Sequence, residues 1–163
     1  MHDPSEAPQT TIRVVAAVIA EGDRYLITQR RPQAAIPLRW EFPGGKVEPG
    51  ESDADALKRE LRHRLGVEVI PHEMISFVRH PYPSYRVDLF LYSCSLEEGD
   101  PEARNVNAFA WVRSHEFERY DFTPADESSM NQLLGIDGGG LEAEDGPAAA
   151  SDGGADDGDR SRG

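Results

Sequence analysis

One stretch of the chain leaves little freedom in how it folds: Pro43-Gly44-Gly45, followed within a few residues by a complete set of helix signals over 52–65. Two glycines after a proline permit backbone shapes that other residues resist, so the chain turns sharply there. Ser52 has the character of an N-cap, with Asp53 and Asp55 at the positive end of the helix, Arg62 and Arg64 at the negative end, and Gly66 as the stop. Leu57, Leu61 and Leu65 recur at i, i+4 and i+8 and form a core stripe. Glu60 and Arg64 lie one above the other on a flank beside His63.

The rest of the body reads mostly as strands. Residues 11–20 are a β-branched run, the Glu21-Gly22-Asp23 turn follows, and residues 24–30 alternate, which predicts a hairpin. Trp40, Glu41 and Phe42 form a short strand at most. Residues 73–79 and 86–94 read as strands, the second with Val87, Leu89 and Leu91 on one face and Asp88, Phe90, Tyr92 and Cys94 on the other. Residues 109–112 are a further short strand and 114–120 one or two helical turns, and Pro124 opens a last helix over 125–134. Strands around two main helices predict an α/β or α+β fold, a mixed sheet sandwiched between helices.

Composition narrows the function. With 163 residues, 38% hydrophobic and 29% charged, one domain is expected and no apolar stretch is long enough to span a bilayer. Acids outnumber bases by 30 to 17, and a net charge of -13 repels polyanions, which argues against polymeric nucleic acid or an acidic membrane as partner. Cys94 is the single cysteine, so no intrachain disulfide forms, and the start MHDPSEAPQT lacks a basic region followed by an apolar one. A cytoplasmic protein is expected. Residues 137–163 hold eight acids, two arginines and few large apolar side chains, which predicts a disordered acidic tail. Residues 1–10 read the same way, leaving a domain over 11–136.

Residues 45–67, GKVEPGESDADALKRELRHRLGV, resemble the Nudix box: Gly, five residues, Glu, seven residues, Arg-Glu-apolar-any-Glu-Glu-any-Gly-apolar. Gly45, Glu51, Arg59, Glu60, Leu61, Gly66 and Val67 match it. The flanking TQRRPQ, WEFPGG, AWV and YDFTPAD are similar to the MutT-type branch. The resemblance implies a Nudix fold and hydrolysis of a nucleoside triphosphate to the monophosphate and pyrophosphate, with oxidised or pyrimidine nucleotides as candidates. It also implies Mg²⁺ or Mn²⁺ held by oxygen ligands, because such an ion neutralises phosphate charge and lowers the pKa of the attacking water.

The pattern departs from the family where that ion would sit. The Glu after the box arginine survives as Glu60, but the Glu pair that follows is His63 and Arg64, and a loop carboxylate falls by count on Asn105. The family site would carry about -4 at these four positions, and here the sum is about 0; at an effective dielectric near 20 each charge at about 4 Å is worth roughly 4 kcal/mol. The resemblance therefore implies Gly44 and Glu60 as remaining metal ligands, Glu60 as catalytic residue, a weakly bound ion and weakened or lost turnover. Gly45, Glu51, Arg59 and Gly66 are the structural part of the box, with Glu51 and Arg59 pairing to brace the loop. Arg30, Lys46 and Arg64 are candidate phosphate contacts, and Asp126 and Phe77 candidate base contacts. A non-catalytic nucleotide-binding or interaction module without a cofactor is the competing reading. A replacement carboxylate from Glu97, Glu98 or Glu102 would restore the ion site.

Overall fold

The computed structural model describes residues 10–134, so residues 1–9 and the acidic tail expected from sequence lie outside the described residues, while Thr10, expected in the N-terminal segment, opens the first strand. The chain runs β1 (Thr10–Glu21), β2 (Arg24–Gln29), β3 (Trp40–Glu41), β4 (Gly44–Lys46), α1 (Asp53–Leu65), β5 (Glu68–Pro81), β6 (Tyr85–Glu98), β7 (Ala108–Arg113), a 3₁₀ helix (Ser114–Arg119) and α2 (Pro124–Leu134). The strands form a mixed sheet in the order β3-β2-β1-β6-β5, with β4 on β1 and β7 on β2. Strands β1 and β6 pair in parallel from Thr10↔Tyr85 to Ile19↔Cys94, and the remaining pairs are antiparallel.

β1 is buried on both faces, which explains its unbroken apolar run. Val15, Ala17 and Ile19 pack with Leu57, Leu61 and Leu65 of α1. Ala16 joins Ile27, Leu89, Leu91, Phe117, Phe122 and Met130 on the face covered by α2 and the 3₁₀ helix. The sheet therefore lies between helices, as expected. Among the described residues no helix is long and apolar enough to cross a membrane.

Strands β5 and β6 are longer than expected. β5 begins at Glu68 and passes through Pro71, which an edge strand tolerates because one side of its backbone has no ladder to complete. Its register shifts between Pro71 and Met74 and again between Met74 and Ser76, and these bulges break the alternation that a sequence pattern reads.

Candidate active-site cleft

The turn at Pro43 is fixed by β1: the Ala17 amide donates to the Pro43 carbonyl at 2.8 Å, and Val47 N to Arg13 O at 3.0 Å. This brings Gly45 against α1. A Cβ at Gly45 would strike the Glu60 carboxylate, so only glycine allows this approach. Helix α1 starts as its sequence predicts, with Asp55 N donating to Ser52 Oγ at 3.1 Å, and stops at Gly66 with φ of 69°.

Arg59 ties the loop to the helix. Its Nε and Nη2 donate to the two oxygens of Glu51 at 2.7 and 2.9 Å, and Nη2 also reaches the Lys46 carbonyl at 2.8 Å. These guanidinium bonds, with the Glu48 amide, hold the Glu51 carboxyl down at about 2. Arg59 Nη1 donates to Glu60 Oε2 at 2.9 Å, and Arg64 Nε donates to Glu60 Oε1 at 2.7 Å. Both oxygens of Glu60, whose side chain is 9% exposed, are thus occupied by guanidinium groups.

Asn105 lies beside the same helix flank. Its backbone N donates to the Arg64 carbonyl at 3.0 Å, its Nδ2 is 2.8 Å from His63 Nε2, and its Oδ1 accepts from Arg31 Nη1 at 2.8 Å. Positions 60, 63, 64 and 105 therefore converge in space. Glu102 bonds Arg104 at the surface, and Glu97 and Glu98 end β6. Among the described residues no three His, Cys, Asp or Glu side chains gather into a metal-holding group.

Beside this flank is a cleft of about 330 Å³ whose lining includes Glu41, Gly44, Lys46, Arg64, Tyr82 and Asp126. Short β3 positions its floor, because Trp40 N donates to Asp121 O and Thr123 N to Trp40 O, which docks β3 on the entry to α2. Asp126 is 5% exposed; it accepts from Phe42 N at 3.0 Å and Thr123 Oγ1 at 2.6 Å. Burial, reinforced by repulsion from Glu41, pushes its carboxyl up to about 7 despite those bonds. Burial also raises Glu41, opposed by Arg30 and Arg64; Arg30 Nη1 donates to it at 3.1 Å.

Of the sequence-predicted residues, Gly44, Gly45, Arg30, Lys46, Arg64 and Asp126 line the cleft. Phe77 does not: it pairs with Phe90, ring centroids 4.8 Å apart, on the α1 face of the sheet, opposite the cleft. Its face follows from the unbroken register of Ser76–Pro81 with β6, in which Phe77 is opposite Phe90. Trp40 packs edge-on against Tyr120 at 5.1 Å, and Cys94 is a buried core thiol pushed up to about 12 by burial. Sequence reasoning missed Glu41, and also Tyr82 and Tyr85, which stack at 5.1 Å along the cleft wall. An acid between two aromatics on a short strand was the available signal for Glu41. The stacked tyrosines depend on the β5–β6 turn and left none.

Residues 14–132 match the NUDIX domain. The chain belongs to the Nudix family. Among its relatives, the CTP pyrophosphohydrolase of Escherichia coli K12 is 36% identical over 125 residues, covering 77% of this chain and 93% of that protein. A putative 8-oxo-dGTP diphosphatase 2 of Mycobacterium tuberculosis is 38% identical over 121 residues, covering 74% and 86%. The solution structure of the E. coli ORF135 protein superposes with a TM-score of 0.67 at 32% identity, covering 78% of this chain and 91% of that one. Set against this Nudix membership, the donor set at the box helix does not fit the hard divalent ion that the family implies. A Mg²⁺ site needs several converging oxygens, whereas Glu60 has both oxygens engaged and its neighbours supply an imidazole, a guanidinium and an amide.

Proposed function

We propose that this Nudix protein binds a nucleoside triphosphate in the cleft, with the base toward Asp126 and Glu41 and the phosphates toward Arg30, Lys46 and Arg64, and that metal-dependent pyrophosphohydrolysis is weakened or lost. The names of the relatives support a nucleotide of the CTP or 8-oxo-dGTP type. The cleft floor supports a base with an amino group on its edge. Two carboxyl groups, both pushed toward the protonated form by burial, with Glu41 held back by Arg30 and Arg64, can offer a donor as well as an acceptor.

The single observation that carries the reading is the pair of guanidinium bonds on Glu60. A carboxylate bound twice by arginine has little left for a cation, and a cation approaching it meets the repulsion of Arg59 and Arg64. The competing reading, a nucleotide-binding module with no turnover, shares the same cleft and differs only in rate.

Pyrophosphate release measured over CTP, dCTP and 8-oxo-dGTP with Mg²⁺ or Mn²⁺ tests it. The expected result is turnover far below ordinary enzyme rates of order 1 to 10³ per second, with a gain in the His63→Glu/Arg64→Glu/Asn105→Glu variant. Fast wild-type turnover that Glu60→Gln abolishes overturns the weakened-catalysis reading. Calorimetry that detects no nucleotide binding overturns both versions.

A further inference from the structure

Beside the cleft lies a second recess of about 240 Å³, lined by Arg30, Arg31, Gln33, Ala34, Arg64 and Asn105. It shares Arg30 and Arg64 with the cleft. Three of its lining residues are arginines and none is an acid, on a chain whose net charge is -13.

Arg31 and Arg64 are each held through a single nitrogen and keep a free edge, whereas Arg30 is held on both sides and keeps one free nitrogen. Arg30 uses Nε on the Ala35 and Ile36 carbonyls and Nη1 on Glu41. Arg31 uses Nη1 on Asn105, and Arg64 uses Nε on Glu60. Among the described residues, Arg30 Nη2, Arg31 Nε and Nη2, and both Nη atoms of Arg64 have no hydrogen-bond partner. A guanidinium with a fixed edge and a free edge suits bidentate phosphate recognition. Asn105 contributes by being neutral: it orients Arg31 through Oδ1 without cancelling its charge, as a carboxylate at this position would.

We propose that Arg30, Arg31 and Arg64 form an anion site for the uncomplexed polyphosphate end of the ligand, so that Mg²⁺ competes with this protein for its ligand instead of assisting binding. The inference rests on the reading that the cleft takes a nucleotide, and it explains the misfit of the box helix to a cation. Arg31, which no carboxylate offsets, supplies positive charge beside Arg30 and Arg64, which Glu41 and Glu60 neutralise in part but which keep free donors. A Mg²⁺-complexed triphosphate carries two fewer negative charges, and its bridging ion keeps several waters where the arginine donors need bare oxygens. It also places a cation beside three others.

Calorimetric titration of wild type and Arg31→Ala with inorganic triphosphate and with CTP, each in EDTA and in excess Mg²⁺, is the test. Arg31 is exposed and distant from the core, and a thermal melt verifies that the variant folds. The expected result is a Kd at least tenfold lower in EDTA than in Mg²⁺, with Arg31→Ala losing at least tenfold in EDTA and most of the discrimination. Binding that Mg²⁺ tightens, or that Arg31→Ala leaves unchanged, overturns the inference. Inorganic triphosphate binding in EDTA as tightly as CTP keeps the anion site and removes the nucleotide reading. CTP binding only with Mg²⁺ does the reverse, and no binding of either ligand removes both.

Discussion

Arg64 Nε sits 2.7 Å from Glu60 Oε1, one helical turn away on the same flank of α1. The order, acid first and base four residues later, is the favourable one on a helix. Unlike an exposed pair it is sheltered, with 25% of the Arg64 side chain and 9% of the Glu60 side chain accessible. Arg59 closes the other side of Glu60 and continues to Glu51. The loop, the helix and the recess are thus linked through one carboxylate.

Removing Arg64 leaves one oxygen of a buried carboxylate without its charged donor. Arg64→Ala is expected to destabilise the fold by about 1–3 kcal/mol, the usual cost of an orphaned buried acceptor. The check is a double-mutant cycle in urea with Glu60→Gln, in which the two changes together cost less than their sum. Strict additivity would show that the pair is not coupled.

Gly45 faces the same carboxylate from the loop. Gly45→Ala places a methyl group where Glu60 lies, and an overpacked contact of this kind costs about 1–3 kcal/mol. In a Glu60→Ala background the same Gly45→Ala change should cost little, because the clash is with the side chain and not with backbone. Equilibrium unfolding of both variants reads this directly; a double variant as unstable as the sum of the two singles would place the strain elsewhere.

Helix α1 was legible because its determinants are local: Ser52, the three leucines and Gly66 lie within fifteen positions and act through caps and periodicity. The departures of the box were legible as well, since they are identities at fixed spacing. The cleft floor was not. It depends on Phe42 meeting Asp126 across 84 positions, and local pattern carries no information on such a pairing. Phe77 marks another limit: its cross-strand pairing with Phe90 puts it on the α1 face, and a pattern that reads a strand does not say which of its faces meets the cleft.

The loop between β2 and β3 holds two bulky residues in the left-handed region, Ile36 with φ of 54° and Leu38 with φ of 62°. Such backbone costs roughly 1–2 kcal/mol for a residue with a Cβ, and asparagine tolerates it better than leucine does. Leu38 is 46% exposed, so its side chain offers little packing in return. Leu38→Asn should raise stability by about 0.5–1 kcal/mol, seen as a higher melting temperature with an unchanged slope in urea. A lower melting temperature would mean that Leu38 is held by packing that offsets the strain.

Asp126 gives stability a pH dependence of definite sign. Its carboxyl is pushed from an ordinary 3.8 up to about 7 by burial and by Glu41, so the folded state keeps a proton that the unfolded chain has released. Stability from this group is therefore fully present below about pH 4 and declines as pH rises through about 7, at up to about 1.4 kcal/mol per pH unit for one proton. Asp126→Asn retains an acceptor for Phe42 N and removes the titration, so the difference in unfolding free energy between variant and wild type should grow in favour of the variant from pH 4 to pH 7 and then level off. Unfolding curves in urea at several pH values measure it. A difference independent of pH would show that Asp126 is ionised throughout, held so by Arg30 and Thr123, and the donor it offers to a base edge near neutral pH would be lost with it.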